Sequence, residues 1–153
     1  MTRRLGRTVA MTAAGLLLAG CGGHGGSASA EPELKITGAY MPAPVGSDMA
    51  AGFFTVTNSG GSDTLTSATS NLAPDVTLHS TKGGEMREET SFTVPADGRL
   101  DFASGGNHVM FENLTHQPKQ GEKVSVQLHF TKSGTVTVEM PVESATYNPK
   151  TGH

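Results

Sequence analysis

The sequence predicts an all-β domain, arranged as a β-sandwich or a small barrel. Two long segments near the C-terminus alternate apolar and polar residues, which is typical of half-buried strands. Gly, Pro, Asn and Asp recur about every dozen residues, the spacing expected of short strands joined by turns. The chain holds 20 Gly and 8 Pro among 153 residues, and helix formers are scarce beyond the N-terminus. A helical bundle is therefore excluded.

The N-terminal segment has the form of a bacterial export signal. Three arginines in the first seven residues precede an apolar run that is too short to cross a bilayer as a helix. The run ends in Leu18-Ala19-Gly20-Cys21, which resembles the bacterial lipobox. We predict a signal peptide over 1–20 and lipidation of Cys21. An ordinary secretory signal cleaved at residues 28–30 is the alternative.

The single cysteine and the residues after it define the domain boundaries. Since Cys21 is the only cysteine, the chain can form no intramolecular disulfide and no thiolate site in the folded domain. Mostly Gly, Ser and Ala follow it, a composition typical of a flexible tether. We assign 21–32 to the lipidated cysteine and tether, 33–147 to the β domain and 148–153 to a flexible tail. The membrane is expected to be contacted through the lipid anchor only.

The mature chain is acidic. Without the three arginines of the signal, it carries 8 basic and 14 acidic side chains, a net charge of −6. Such a chain has little basic surface with which to replace the counterions of a phosphate backbone. A nucleic-acid partner is therefore excluded.

Nine short strands are predicted in order along the domain. The clearest two cover 124–130 and 136–142, and the turn between them makes the pair a hairpin. Shorter runs rich in β-branched and aromatic residues predict the other seven, at 34–36, 53–57, 64–67, 76–79, 92–94, 99–102 and 108–111.

The sequence carries no familiar catalytic motif. It has no cysteine in the domain, no Gly-x-Ser-x-Gly elbow, no Gly-rich phosphate loop and no His-Glu-x-x-His pair. A Ser/His/Asp triad stays open, because many Ser residues make such a set easy to meet by coincidence. We predict that the protein is not an enzyme and assign no catalytic residue.

The most informative motif is His108-x-Met110. On a strand these two side chains point to one face with Cα atoms about 6.5–7 Å apart, while Val109 and Phe111 point to the other face. The two apolar residues can then face the core while an imidazole and a thioether face outward together. The competing interpretation is an ordinary surface histidine beside a methionine packed under a loop.

Two more residues of the same types lie upstream. His79 falls on the outward phase of its strand, and Met86 is predicted in a Gly-rich loop. If all four converge, two imidazoles and two thioethers form a soft, neutral ligand set, which suits Cu(I) better than zinc, calcium or magnesium. A blue-copper electron carrier is disfavoured, because it needs a Cys thiolate in the site. The competing interpretation is that His79 is an ordinary polar surface residue and that Met86 only fills space in a loop.

These residues resemble the extracytoplasmic copper chaperone family PCu(A)C. The family pattern is a His, ten residues, a Met, twenty-one residues and then His-x-Met. Met86 and His108-x-Met110 keep the second spacing, but only six residues separate His79 from Met86, so the first interval is four residues shorter. Similarity extends over most of the mature chain, through 36–40, 50–58, 76–79 and 117–122.

The resemblance implies a cupredoxin-like fold and a copper chaperone. It implies a Cu(I) site with four ligands, His79, Met86, His108 and Met110. The implied partner is an apo-cuproenzyme, such as the subunit that holds the dinuclear copper centre of a terminal oxidase. The alternative is a lipoprotein that sequesters and buffers copper without a specific client, and a third interpretation is an adhesion sandwich with no metal. Cu(II) is expected at secondary sites, for which His24 and His153 in the terminal segments are candidates.

The other His and Met residues receive structural interpretations. Met140 is in phase with the core residues of its strand and is predicted to be buried. Met41 and Met49 flank a turn-rich segment and are predicted to fill gaps rather than to line a metal entrance. His129 is predicted to be solvent-facing on the polar phase of its strand, and His116 lies in the loop before Pro118 without a partner visible in the sequence.

Overall fold

The computed structural model describes residues 30–151. Within that range it consists of ten strands and no helix, which confirms the all-β prediction. The strands are β1 (Leu34–Pro42), β2 (Met49–Asn58), β3 (Asp63–Ser70), β4 (Asp75–Lys82), β5 (Glu85–Glu89), β6 (Phe92–Val94), β7 (Gly98–Phe102), β8 (His108–Glu112), β9 (Lys123–Phe130) and β10 (Gly134–Glu143). Each of the nine predicted segments lies within one of these strands. The strand that the sequence pattern does not predict is β5.

Several predictions concern residues outside the described range. The signal peptide over 1–20, the lipidated Cys21, most of the tether, and the candidate secondary ligands His24 and His153 all lie there. In the part of the chain that is described, no helix has the length and apolar character needed to cross a membrane.

The strands form one continuous hydrogen-bonded path. Its order is β5-β4-β8-β2-β1-β10-β9-β3-β6, and β7 pairs with β2 beside this path. The β1–β10 pairing is parallel, and the other named pairings are antiparallel. Residues 49–52 of β2 pair with β8, whereas residues 53–58 pair with β1 and β7. The first half of β2 therefore connects the segment β5-β4-β8, through its pairing with β8, to the rest of the path.

The core lies between the two halves of this path. Phe54 and Phe111, from β2 and β8, belong to one buried cluster with Leu128 and Met140, from β9 and β10. All four are at most 1% exposed, which confirms the prediction for Met140. Met41 is also fully buried, as expected of a gap filler. Leu78 of β4 and Val109 and Phe111 of β8 belong to the same cluster, so the alternate residues of these two strands point to the other face, which is available for a site.

Methionine 49 departs from the gap-filling prediction. It is 45% exposed at the start of β2, where it pairs with Glu112 of β8. Met49 therefore lies at the surface beside the segment β5-β4-β8, which carries the candidate ligands, and it fills no gap in the core.

Asp63 organises the turn of the predicted β9–β10 hairpin. Its side chain is 2% exposed and accepts backbone hydrogen bonds from Thr64, Lys132 and Ser133, with N–O distances of 2.8–2.9 Å. Burial raises the pKa of this carboxyl, but the hydrogen bonds from Ser133, Lys132 and Thr64 outweigh burial and hold the pKa below its ordinary value. The ionised carboxylate thus ties the turn to β3.

Candidate metal centre

The unpredicted strand β5 carries Met86. A two-residue turn, Gly83-Gly84, joins β4 to β5, with φ values of +59° and +81°. Two consecutive positive φ values are typical of a type I′ turn, which glycine adopts without strain and which matches the twist of a hairpin. The predicted loop position of Met86 is therefore wrong. The short interval after His79 is a minimal hairpin, whose register places Met86 opposite Thr81.

All four predicted ligands lie on one face of the segment β5-β4-β8-β2. Residues paired across adjacent strands point to the same face, as do alternate residues along one strand. Three cross-strand pairs place the ligands on that face: His79 with His108, Thr77 with Met110, and Thr81 with Met86. Val109 and Phe111 are fully buried on the opposite face, as predicted.

His108 and Met86 are in direct contact. The Nε2 atom of His108 lies 3.0 Å from the Sδ atom of Met86, and its Nδ1 atom lies 3.1 Å from the backbone oxygen of Gly106. Because a carbonyl oxygen can only accept, the neutral ring carries its proton on Nδ1 and donates it to Gly106. Nε2 then offers a lone pair towards a sulfur atom that also has only lone pairs to offer. Neither atom can therefore donate a hydrogen bond to the other.

His79 stacks on His108 and has one ring nitrogen without a partner. The ring centroids are 5.4 Å apart and the planes differ by 21°. The Nε2 atom of His79 lies 2.8 Å from the hydroxyl oxygen of Thr77. Its Nδ1 atom is buried and has no hydrogen-bond partner among the described residues. A buried polar atom left unpaired costs free energy that a bound ligand can recover.

The four side chains differ in exposure. Met86 is 56% exposed, whereas His108 is only 7% exposed. His79 and Met110 are half-buried. His108 lies on the predicted face with Met110, but His79 and Met86 contact its imidazole there and shield it from solvent. Solvent reaches this candidate metal centre most easily at Met86.

The ligand set is neutral, but its surroundings are acidic. Within residues 30–151 no group of three or more His, Cys, Asp or Glu side chains is placed to hold a metal ion. Glu88 pairs with His79 across β4 and β5 and so points to the same face. Lys82 and Arg87 occupy the alternate phase of these strands and point away from it. In the described residues, His, Cys, Asp and Glu side chains alone therefore provide no metal site.

The other histidines of the described domain have polar partners that the sequence did not reveal. His116 lies 3.1 Å from the carboxylate of Glu122, and this hydrogen bond lowers the pKa of the Glu122 carboxyl. His129 contacts the hydroxyl of Thr69 through Nε2 at 2.9 Å and that of Thr135 through Nδ1 at 3.0 Å. The Nδ1 atom of His116 lies 3.4 Å from the hydroxyl of Thr115, so every ring nitrogen of these two histidines has a polar neighbour outside the candidate metal centre.

Sequence reasoning missed two residues that touch the predicted ligands. Thr77 lies two positions before His79 on the same face of β4, a periodicity that places the two side chains side by side but does not show that they are hydrogen-bonded. Gly106 acts through its backbone oxygen, in the turn before β8, and no side-chain pattern could have identified it.

Residues 34–142 match the sequence model of a family described as "LpqE-like: Putative lipoprotein LpqE-like". The chain belongs to this LpqE-like family. It is also similar to "Putative lipoprotein Lxx21020" of Leifsonia xyli subsp. xyli. The identity is 34%, and the alignment covers 93% of this chain and 92% of the relative.

Solved structures of PCuAC domains are similar to this LpqE-like chain. The apo PCuAC domain of PmoF2 has a TM-score of 0.66 at 25% identity, covering 78% of this chain and 97% of that one. The copper-bound domain of PmoF2 has a TM-score of 0.65 at 27% identity, covering 72% and 92%. CuI-DR1885 of Deinococcus radiodurans has a TM-score of 0.64 at 29% identity, covering 79% and 85%. These similarities confirm the PCu(A)C resemblance and the cupredoxin-like fold.

Proposed function

We propose that this LpqE-like protein is an extracytoplasmic copper carrier that binds Cu(I) through His79, Met86, His108 and Met110. The observation that carries the proposal is the contact between His108 Nε2 and Met86 Sδ. The other nitrogen of His108 is already bonded to Gly106, so the lone pair at Nε2 is available to a metal.

The chemistry of the four side chains favours Cu(I) over other metals. Thioethers are soft ligands that suit Cu(I), while structural zinc sites use thiolates and imidazoles, and calcium and magnesium use oxygen. Two similar structures, the copper-bound PmoF2 domain and CuI-DR1885, are named for their copper. Copper is here a cargo and not a cofactor of catalysis, in keeping with the absence of a familiar catalytic motif in the sequence.

The unequal exposure of the ligands suits transfer to another protein. Met86 is the most exposed of the four and lies on β5, which ends the strand path. An acceptor's ligand can therefore replace Met86 first, while the buried His108 still holds the metal. We propose that the acceptor is an apo-cuproenzyme, such as a terminal oxidase copper subunit, as the family resemblance implies.

Attachment to the bacterial cell membrane completes the proposal. The lipobox-like sequence at Cys21 and the lipoprotein names of the family and of its Leifsonia relative support an acyl anchor. The two or three chains of a bacterial lipoprotein attach firmly, since each buried methylene contributes about 0.8 kcal/mol. Confinement near the membrane raises the local concentration of the carrier around a membrane-bound acceptor.

Anaerobic titration of the soluble domain, residues 31–153, with Cu(I) against a chromophoric chelator tests this function. We expect one tightly bound Cu(I) per domain, and we expect an apo-oxidase copper fragment to remove it. Absence of Cu(I) uptake would contradict the copper function. Uptake without transfer to any acceptor would favour the copper-buffering alternative.

A further inference from the structure

Thr77 is placed to determine which ring nitrogen of His79 carries the proton. Its hydroxyl oxygen lies 2.8 Å from Nε2 of His79, on the same face of β4. The Nδ1 atom of the ring is buried without a hydrogen-bond partner in the described domain. Among buried backbone groups, an N–H without an acceptor is rarer than a carbonyl with an unused lone pair, and we apply the same preference to the ring nitrogens. The proton therefore belongs on Nε2, where the Thr77 oxygen can accept it.

We propose that Thr77 is a positioning residue that holds His79 in the Nε2–H form, so that Nδ1 is the atom that binds copper. The inference rests on the proposed Cu(I) function and deepens it. His108 is held in the opposite form, because its Nδ1 atom donates to Gly106. The two stacked imidazoles thus bind through different nitrogens, Nδ1 of His79 and Nε2 of His108.

A hydroxyl has a specific advantage as the partner of His79. The other ring nitrogen of a metal-binding histidine is commonly hydrogen-bonded, which fixes the orientation of the ring. A carboxylate in that position would add a negative charge, whereas the hydroxyl of Thr77 leaves the ligand set neutral. Thr77 also pairs with Met110 across β4 and β8. Thr77 is therefore a direct neighbour of both an imidazole ligand and a thioether ligand of the proposed site.

Three variants separate this role from a general effect on packing. Thr77→Val keeps the branched shape and removes the hydroxyl, while Thr77→Ser keeps the hydroxyl. The matched control is Thr69→Val, because the Thr69 hydroxyl lies 2.9 Å from Nε2 of His129, a histidine outside the candidate metal centre. We expect Thr77→Val to weaken Cu(I) affinity roughly 10- to 100-fold, the usual effect of losing such a partner. Thr77→Ser should retain most of the affinity, and Thr69→Val should retain all of it.

Long-range ¹H–¹⁵N NMR reads the proton position directly, and the diamagnetism of Cu(I) allows the loaded protein to be measured as well. In the wild-type domain we expect the His79 proton on Nε2 with and without copper. Cu(I) should change the ¹⁵N shifts of His79 Nδ1 and His108 Nε2. In Thr77→Val the apo His79 ring should lose its strong preference for Nε2–H.

The outcomes distinguish failure of the Cu(I) function from failure of the role assigned to Thr77. Wild-type protein that takes up no Cu(I) would overturn the copper function and this inference together. A His79 proton found on Nδ1 in the Cu(I)-loaded protein would overturn only the assignment to Thr77, as would unchanged affinity in a folded Thr77→Val variant. Because the nitrogen assignment is read in the wild-type protein, the inference remains testable even if Thr77→Val fails to fold.

Discussion

The Nε2 atom of His108 contacts the Sδ atom of Met86 at 3.0 Å although their strands are not neighbours. β4 lies between β8 and β5, so the contact bridges two strand spacings of about 4.8 Å each. It forms diagonally, since His108 is opposite His79 on β4 and Met86 is opposite Thr81. The pairing of these ligands therefore depends on the register of the β4–β5 hairpin.

Replacing either thioether should remove copper binding and leave the fold intact. Met110→Leu and Met86→Leu keep the apolar volume and delete the sulfur, so each should cost less than about 1.5 kcal/mol of unfolding free energy. Cu(I) affinity, measured by anaerobic chelator competition, should fall severely in both. Met49→Leu is the control, because Met49 is an exposed methionine on the same segment. Wild-type affinity in Met110→Leu would remove that residue from the site.

The turn between β4 and β5 should control copper affinity from outside the ligand set. Gly84→Val places a β-branched residue at φ +81°, where left-handed backbone costs about 1–2 kcal/mol for residues other than glycine. Amide hydrogen exchange should then show faster opening of β5, and Cu(I) affinity should decrease. Gly83→Asn is the control, because asparagine is accepted at the first central position of a type I′ turn. Equal affinity in the two variants would mean that the turn does not set the position of Met86.

Much of the fold could be predicted because its signals are local. β9 and β10 alternate buried and exposed residues over their whole length, so a period of two identifies them. β5 has no such signal, since four of its five residues are exposed and it buries no apolar face. Its strand conformation comes from the turn and from pairing with β4. An edge strand of this kind can be predicted only when the strand with which it pairs is known.

At the candidate metal centre, too, the sequence predicted the local features but not the contacts between strands. The strand period correctly placed His108 and Met110 on the face opposite Val109. It could not show that His108 is buried there, because the side chains that contact it come from β4 and β5. The partner of His79 was also missed, although Thr77 is only two residues away, because the sequence does not say whether two neighbouring polar groups bond to each other or to water.

Asp63 should make stability depend on pH in the acid range. Its pKa is lowered on folding, so its carboxylate stabilises the fold above the unfolded-state pKa of about 3.9, and this stabilisation is lost as the pH falls through the folded-state value. Asp63→Asn should lower the free energy of unfolding by about 1–3 kcal/mol at pH 7, because an amide cannot accept all of the turn's N–H bonds. Urea unfolding at several pH values measures this, with exposed Asp48→Asn as the control. A difference from wild type that stays constant into the acid range would contradict the assignment.

Metal selectivity should follow the softness of the ligand set. With two thioethers and no thiolate, the domain should prefer Cu(I) and bind Zn(II) poorly. In an anaerobic competition at equal concentrations, Zn(II) should leave Cu(I) bound. Displacement of Cu(I) by Zn(II) would contradict the thioether ligation. Weaker Cu(II) binding is expected at secondary sites, and removal of residues 22–30 and 148–153 measures how much of it involves the terminal segments with His24 and His153.

Loss of the lipid anchor should leave the Cu(I) affinity of the candidate metal centre unchanged. Cys21 lies in the N-terminal part of the chain outside the described residues, and the first strand begins only at Leu34. Cys21→Ser should therefore release the protein from the membrane fraction or block its processing, because the acyl chains supply the attachment. The purified domain should bind Cu(I) with unchanged affinity, since none of the four proposed ligands precedes β4. Wild-type protein that is wholly soluble, with a free thiol at Cys21 or an N-terminus at Glu31, would contradict the lipoprotein assignment. It would leave the copper proposal standing, because His79, Met86, His108 and Met110 all belong to the folded domain.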